Sequence, residues 1–132
     1  MDMENGCVLL VQTDLKKIVS FAQKCIEAGI DEKKIFATVY PGDIPRFLNA
    51  QGIGSIIIDS ELYNHSSANT LRTCAQERDL NVLLVTSDRF KKTIRMMMDK
   101  NLRYISQSIS SDDLAQIINY DCNWSYKKVV HM

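Results

Sequence analysis

Residues 53–59 read Ile-Gly-Ser-Ile-Ile-Ile-Asp, an apolar run that ends abruptly in a carboxylate. A short, unbroken apolar run of this kind marks a strand covered on both faces. Gly52 precedes it, and the polar stretch SELYNHSS follows. The strand is therefore expected over 53–58, with Asp59 at the rim of a sheet.

Similar runs lie on either side of it. Upstream are CVLLV at Cys7–Val11 and IFATV at 35–39, and downstream are NVLLV at 81–85 and LRYIS at Leu102–Ser106. Between them the period changes from continuous to helical. Leu15, Ile18, Val19, Ala22, Cys25 and Ile26 are spaced as one helix face, closed by Gly29. Pro41 and Gly42 break the chain before a short helix bearing Ile44, Phe47 and Leu48, which Gly52 closes. Ala68, Leu71, Cys74 and Ala75 make a third face, and Phe90, Ile94, Met97 and Met98 a fourth. Ser110 or Ser111 is positioned to cap a last helix carrying Leu114, Ile117 and Ile118. Asp112 and Asp113 suit its positive end.

Five strands alternating with helices on short connections predict a parallel sheet with helices on both faces. Right-handed crossovers leave few topologies. The length and strand count favour a flavodoxin-like three-layer α/β/α sandwich with strand order 2-1-3-4-5. The 132 residues suit one domain, with a core over 7–121 and a tail over 122–132. Ligands in such folds bind at the carboxyl ends of the strands. The residues of interest are then Gln12 to Asp14, Asp59 to Glu61, Thr86 to Asp88, and Gln107 with Ser108.

Composition narrows the function classes. Hydrophobic residues make up 45% of the chain, enough for a real core. Basic and acidic residues balance at 16 each, which argues against a nucleic-acid-binding module. No apolar run approaches membrane-spanning length, and the start MDMENG lacks signal-peptide character, so a cytoplasmic location is expected. Cys7, Cys25, Cys74 and Cys122 are widely spaced and read as small buried hydrophobes rather than metal ligands or disulfide partners. No glycine-rich phosphate loop follows the first strand, which ranks a nucleotide-binding enzyme low.

Order, strand character and spacing together resemble the receiver domain of two-component response regulators over about residues 7 to 121. The family's third strand ends in its phosphoacceptor, as in III-Asp59. Its fourth ends in Thr or Ser and then a small residue, as in VLLV-Thr86-Ser87. Its fifth carries an aromatic switch residue three places before a lysine; here Tyr104 stands three places before Gln107. The spacings from Asp59 to Thr86 and from Thr86 to Gln107 fit this layout.

The departures fall on the charged groups. The paired acidic residues that hold Mg²⁺ in the family correspond to Gln12 and Thr13, with only Asp14 acidic one place further on. The lysine corresponds to Gln107, which can donate a hydrogen bond but brings no charge. The proline after it corresponds to Ser108, where a cis bond would cost about 3 kcal/mol, so a trans peptide is expected. Phosphoryl transfer to a carboxylate needs charge neutralisation, and loss of one preorganised partner typically costs on the order of 10²–10³ in rate.

Two readings follow from the resemblance. One is an atypical receiver, not an enzyme, with a degenerate phosphorylation site, acting through protein contacts or a homodimer. Its expected face is the fourth helix, fifth strand and fifth helix, where Lys91, Arg95, Met96, Tyr104 and Asp113 are the candidates. The other is a phosphoaccepting receiver, served by a sensor kinase, with Mg²⁺ on a rebuilt set of Asp14, Asp59 and Glu61, helped by Asp88. Arg89 is then the nominated stand-in for the lysine. Simpler roles compete at each position: Asp14 as a helix cap, Asp59 as a turn or helix cap, Thr86 as a strand-end residue, and Tyr104 as a core aromatic.

Overall fold

The computed structural model describes residues 7–50, 52–63, 71, 73, 80–86 and 102–120. Five strands form one sheet among these residues: β1 (Cys7–Val11), β2 (Ile35–Thr38), β3 (Ile53–Asp59), β4 (Asn81–Thr86) and β5 (Leu102–Ser106). Their spatial order is β2-β1-β3-β4-β5 and every pairing is parallel. The helices are α1 (Leu15–Glu27), α2 (Ile44–Ala50), α3 (Ser60–Tyr63) and α4 (Ser111–Tyr120), with 3₁₀ turns at Glu32–Lys34 and Pro41–Asp43. The flavodoxin-like fold expected from the strand pattern is the one observed.

The apolar runs become strands because both sheet faces are covered. Alternate side chains leave a strand on opposite sides, and two clusters result. One holds Leu9, Val11, Ile56, Ile58, Val82 and Leu84 against Ile44, Leu48 and Tyr63. The other holds Val8, Leu10, Ile57, Leu83, Val85 and Ile105 against Phe21, Cys25 and Leu114. Each fully buried aliphatic or aromatic side chain contributes roughly 1.5–3 kcal/mol from burial. The sheet is thus the common wall of two cores.

β3 carries one irregularity. Cys7 pairs with Ile53, but Val8 pairs with Ser55, so Gly54 is an extra residue in the strand. It explains why Ile53 packs against the same cluster as Ile56 and Ile58 although three positions separate it from Ile56.

The first helix is rotated from the face expected. Leu15 and Val19 are 71% and 66% exposed, and Ile26 is also exposed, while Ile18, Phe21, Ala22 and Cys25 face the core. The set 18, 21, 22, 25 has the same helical spacing as the expected one. Phe21, the largest apolar side chain available, selects it. Asp14 caps the start, accepting from the Lys17 backbone N–H at 2.9 Å. Gly29, at φ 102°, ends the helix, with Ile30 N–H returning to the Cys25 carbonyl at 3.0 Å.

Other boundaries shift by a residue or two. Asp59 and Thr86 belong to their strands, Val39 does not, and α2 ends at Ala50. Residues 60–63, expected as loop, form the short helix α3, which buries Tyr63 in the first cluster. Leu71 is buried as expected. Ala68, Cys74, Ala75, the expected fourth helix with Asp88, Arg89, Lys91, Arg95 and Met96, Ser87, and the tail from 122 with Cys122 lie outside the described residues. No described helix is long and apolar enough to cross a membrane.

Candidate functional site

The carboxyl ends of β1, β3, β4 and β5 bring Gln12, Asp59, Thr86 and Ser106 to one edge of the sheet. Val11 is level with Ile58, so Gln12 and Asp59 are the next pair along these neighbouring strands. Asp59 is level with Val85, and Thr86 with Ser106. Strand alternation places Gln12 and Asp59 on the face covered by α1, since both follow a residue of the opposite cluster.

Asp59 is 4% exposed and is the only buried charged side chain among the described residues. Such a carboxylate must find donors or a cation. Its Oδ1 accepts the Glu61 backbone N–H at 2.9 Å, a turn-capping bond that starts α3. Its Oδ2 lies 3.5 Å from Nζ of Lys17, on the first turn of α1. Lys17 was absent from the residues the sequence singled out. Sequence reasoning nominated Arg89 for this role, and Arg89 lies outside the described residues.

Gln12 is fully buried. Its Nε2–H donates to the Ile57 carbonyl at 3.2 Å, which leaves Oε1 buried without a partner. An orphaned acceptor of this kind costs roughly 1–3 kcal/mol. Thr86 is also buried.

Gln107 does not enter the site. Its side chain is exposed, and its backbone carbonyl accepts from Lys24 Nζ at 2.9 Å. The Lys24 ammonium also sits 5.1 Å from the Phe21 ring centre, within cation–π range. No cis peptide bond occurs among the described residues, so Gln107–Ser108 is trans. Ser106 Oγ accepts the Ser108 N–H at 3.1 Å, and Ile109 N–H returns to the Ser106 carbonyl at 3.1 Å, which close the turn. Ser110 then caps α4 by accepting the Asp113 N–H at 3.1 Å.

The resemblance implies Mg²⁺, and the residues present fit it poorly. Mg²⁺ takes near-octahedral oxygen ligands, usually one or two carboxylates with waters. Asp14 is engaged in capping α1, Glu61 is exposed on α3, and Asp59 faces an ammonium. Asp14, Asp59 and Glu61 form no ligand cluster, nor does any other group of three among the described residues.

The remaining candidates are placed as follows. Tyr104 is half-buried on β5, level with Leu84, and packs against the first core cluster. Asp113 is exposed in the first turn of α4. Cys25 is buried on the inner face of α1, where loss of hydration pushes its thiol up to about 12, and Cys7 is a half-buried free thiol. Cys25 is therefore held neutral and unreactive.

No protein-family profile matches the chain, and no curated protein matches it significantly in sequence. Solved structures do match. A response regulator receiver domain protein, CheY-like, from Methanospirillum hungatei superposes with a TM-score of 0.69 at 14% identity, covering 94% of this chain and 98% of that one. A response regulator receiver domain protein from Clostridium thermocellum gives 0.67 at 18% identity, covering 96% and 99%. With the order β2-β1-β3-β4-β5 and Asp59 at the end of the central strand, the chain has the fold of the response-regulator receiver domain.

Proposed function

We propose that this chain is an atypical receiver-type signalling domain, not an enzyme, that works through protein contacts rather than Mg²⁺-dependent phosphoryl transfer at Asp59. The observation that carries the reading is Gln12. A fully buried carboxamide, tied by its N–H to the Ile57 carbonyl, stands where a receiver needs an acidic ligand. A neutral amide neither attracts a dication strongly nor offsets phosphoryl charge.

In this reading residues 1–132 are one cytoplasmic domain, and Asp59 is a structural anchor. Thr86 and Gln107 keep their places in the receiver layout without its chemistry. The contact surface is the helix 4–strand 5–helix 5 face that the resemblance implies, with Tyr104 and Asp113 as its described candidates; its other candidates, Lys91, Arg95 and Met96, lie outside the described residues. Its partner is a protein, either a signalling component or a second copy, and not nucleic acid or membrane.

The test is phosphoryl mimicry. The protein is incubated with beryllofluoride or acetyl phosphate over a range of Mg²⁺ and Mn²⁺ concentrations and read by intact mass and amide NMR. No adduct is expected. A Mg²⁺-dependent adduct that disappears in Asp59→Ala would overturn the reading in favour of the phosphoaccepting receiver, with its metal on Asp14, Asp59 and Glu61.

A further inference from the structure

A buried carboxylate is stable only with a compensating charge or a full set of donors. Among the described residues, Asp59 has one backbone donor, Glu61 N–H, on Oδ1. The other oxygen faces Lys17 Nζ at 3.5 Å, and the Lys17 side chain is itself only 34% exposed. Lys17 is held in place at its backbone as well, because its N–H donates to the capping carboxylate of Asp14.

A second lysine on the same helix behaves alike. Lys24 is seven positions on, two turns along the same side of α1. Its ammonium reaches the carbonyl of Gln107, at the end of the neighbouring part of the sheet edge. α1 therefore directs two cations at the carboxyl ends of the strands, one on Asp59 and one on the turn after β5.

From this geometry we propose that Lys17 is the built-in counter-ion of Asp59, a positioning residue that takes the electrostatic place a divalent cation would otherwise hold. The proposal rests on the signalling reading above and gives it a cause. The ammonium and a dication compete for the same carboxylate. A dication approaching Asp59 meets the repulsion of a fixed positive charge a few ångströms away. The site is thereby kept metal-independent, and Asp59 holds α1 against the end of β3 whatever the Mg²⁺ concentration.

The experiment is a Mg²⁺ titration followed through the Glu61 amide resonance. It compares the wild type, Lys17→Met, Lys17→Arg, and Lys17→Met combined with Asp59→Asn, each checked for folding by circular dichroism. Lys17→Met is expected to bind Mg²⁺ at least about tenfold more tightly than the wild type. Lys17→Arg should stay weak, and the combined variant should lose the gain. A purely structural lysine would not produce a gain of affinity on removal. If Lys17→Met does not fold, Lys17→Gln, with a neutral polar tip, gives the same readout. Equal, weak binding in the wild type, Lys17→Met and Lys17→Gln overturns the counter-ion role and leaves the signalling reading standing. Tight Mg²⁺ binding by the wild type, with a beryllofluoride adduct on Asp59, overturns both.

Discussion

Helix α1 and the turn between β5 and α4 meet the same edge of the sheet and make opposite contributions to it. α1 sends in Lys17 and Lys24, and its first turn is fixed by Asp14. The turn after β5, where the resemblance places a lysine, offers only the backbone carbonyl of Gln107 and leaves that side chain in water. Among the described residues, the positive charge at Asp59 comes from α1 and none comes from this turn. The difference shows that a site's electrostatic need can be met from either flank, because a carboxylate responds to a cation and not to the strand that carries it.

Separating α1 from the sheet should have the largest effect. Phe21 is the major apolar anchor of the helix, and Phe21→Ala is expected to lower stability by about 3–4 kcal/mol in urea unfolding. A loss below 1 kcal/mol would mean that α1 is held mainly by its lysines.

Next comes the ion pair. Lys17→Ala leaves Asp59 buried without the ammonium that faces it and should cost about 1–3 kcal/mol, discounted for the partial exposure of the lysine. Asp59→Asn in that background should recover most of it. Equal costs of Asp59→Asn with and without Lys17 would show that the two do not interact.

Asp14→Ala removes the cap and should destabilise by about 1 kcal/mol, with Asp14→Asn nearly neutral. Retention of a metal-like role would instead make both substitutions alter Mg²⁺ affinity. Lys24→Met should cost about 0.5–1 kcal/mol and loosen the Ser108 and Ile109 amides in hydrogen exchange. Gln107→Ala sits last, within about 0.5 kcal/mol of the wild type, because the bonded group is its carbonyl. A large effect of Gln107→Ala would restore importance to the lysine position and undo the contrast between the two flanks.

Much of the fold was legible because it rests on local pattern. Runs such as VLLV and III are long, apolar and separated by polar turns, so strand count, order and the edge carrying Asp59 followed from period and connection length. The face of α1 was harder, since two helical stripes share its sequence and only the packing of Phe21 decides between them. The strand ends that carry Gln12, Asp59 and Thr86 were legible, whereas the Gln107 side chain, expected beside them, lies exposed. Lys17 gave no signal: on a helix beside Lys16 it looks like any solvated lysine, and its partner is far away in sequence. At Asp14 the sequence left a helix cap and a metal ligand both open, because an aspartate before a helix suits either role, and the bond from Lys17 N–H shows the cap.

The extra residue in β3 has a use beyond geometry. Gly54 divides the strand into two independently indexed parts, the start at Ile53 and the run from Ser55 to Asp59. Changes in the connection from α2 can be taken up at that joint without moving Asp59 relative to Gln12. The strand behaves as a coupling with slack at one end and fixed timing at the other, so changes before Ile53 can be absorbed while Asp59 and Gln12 keep their alignment.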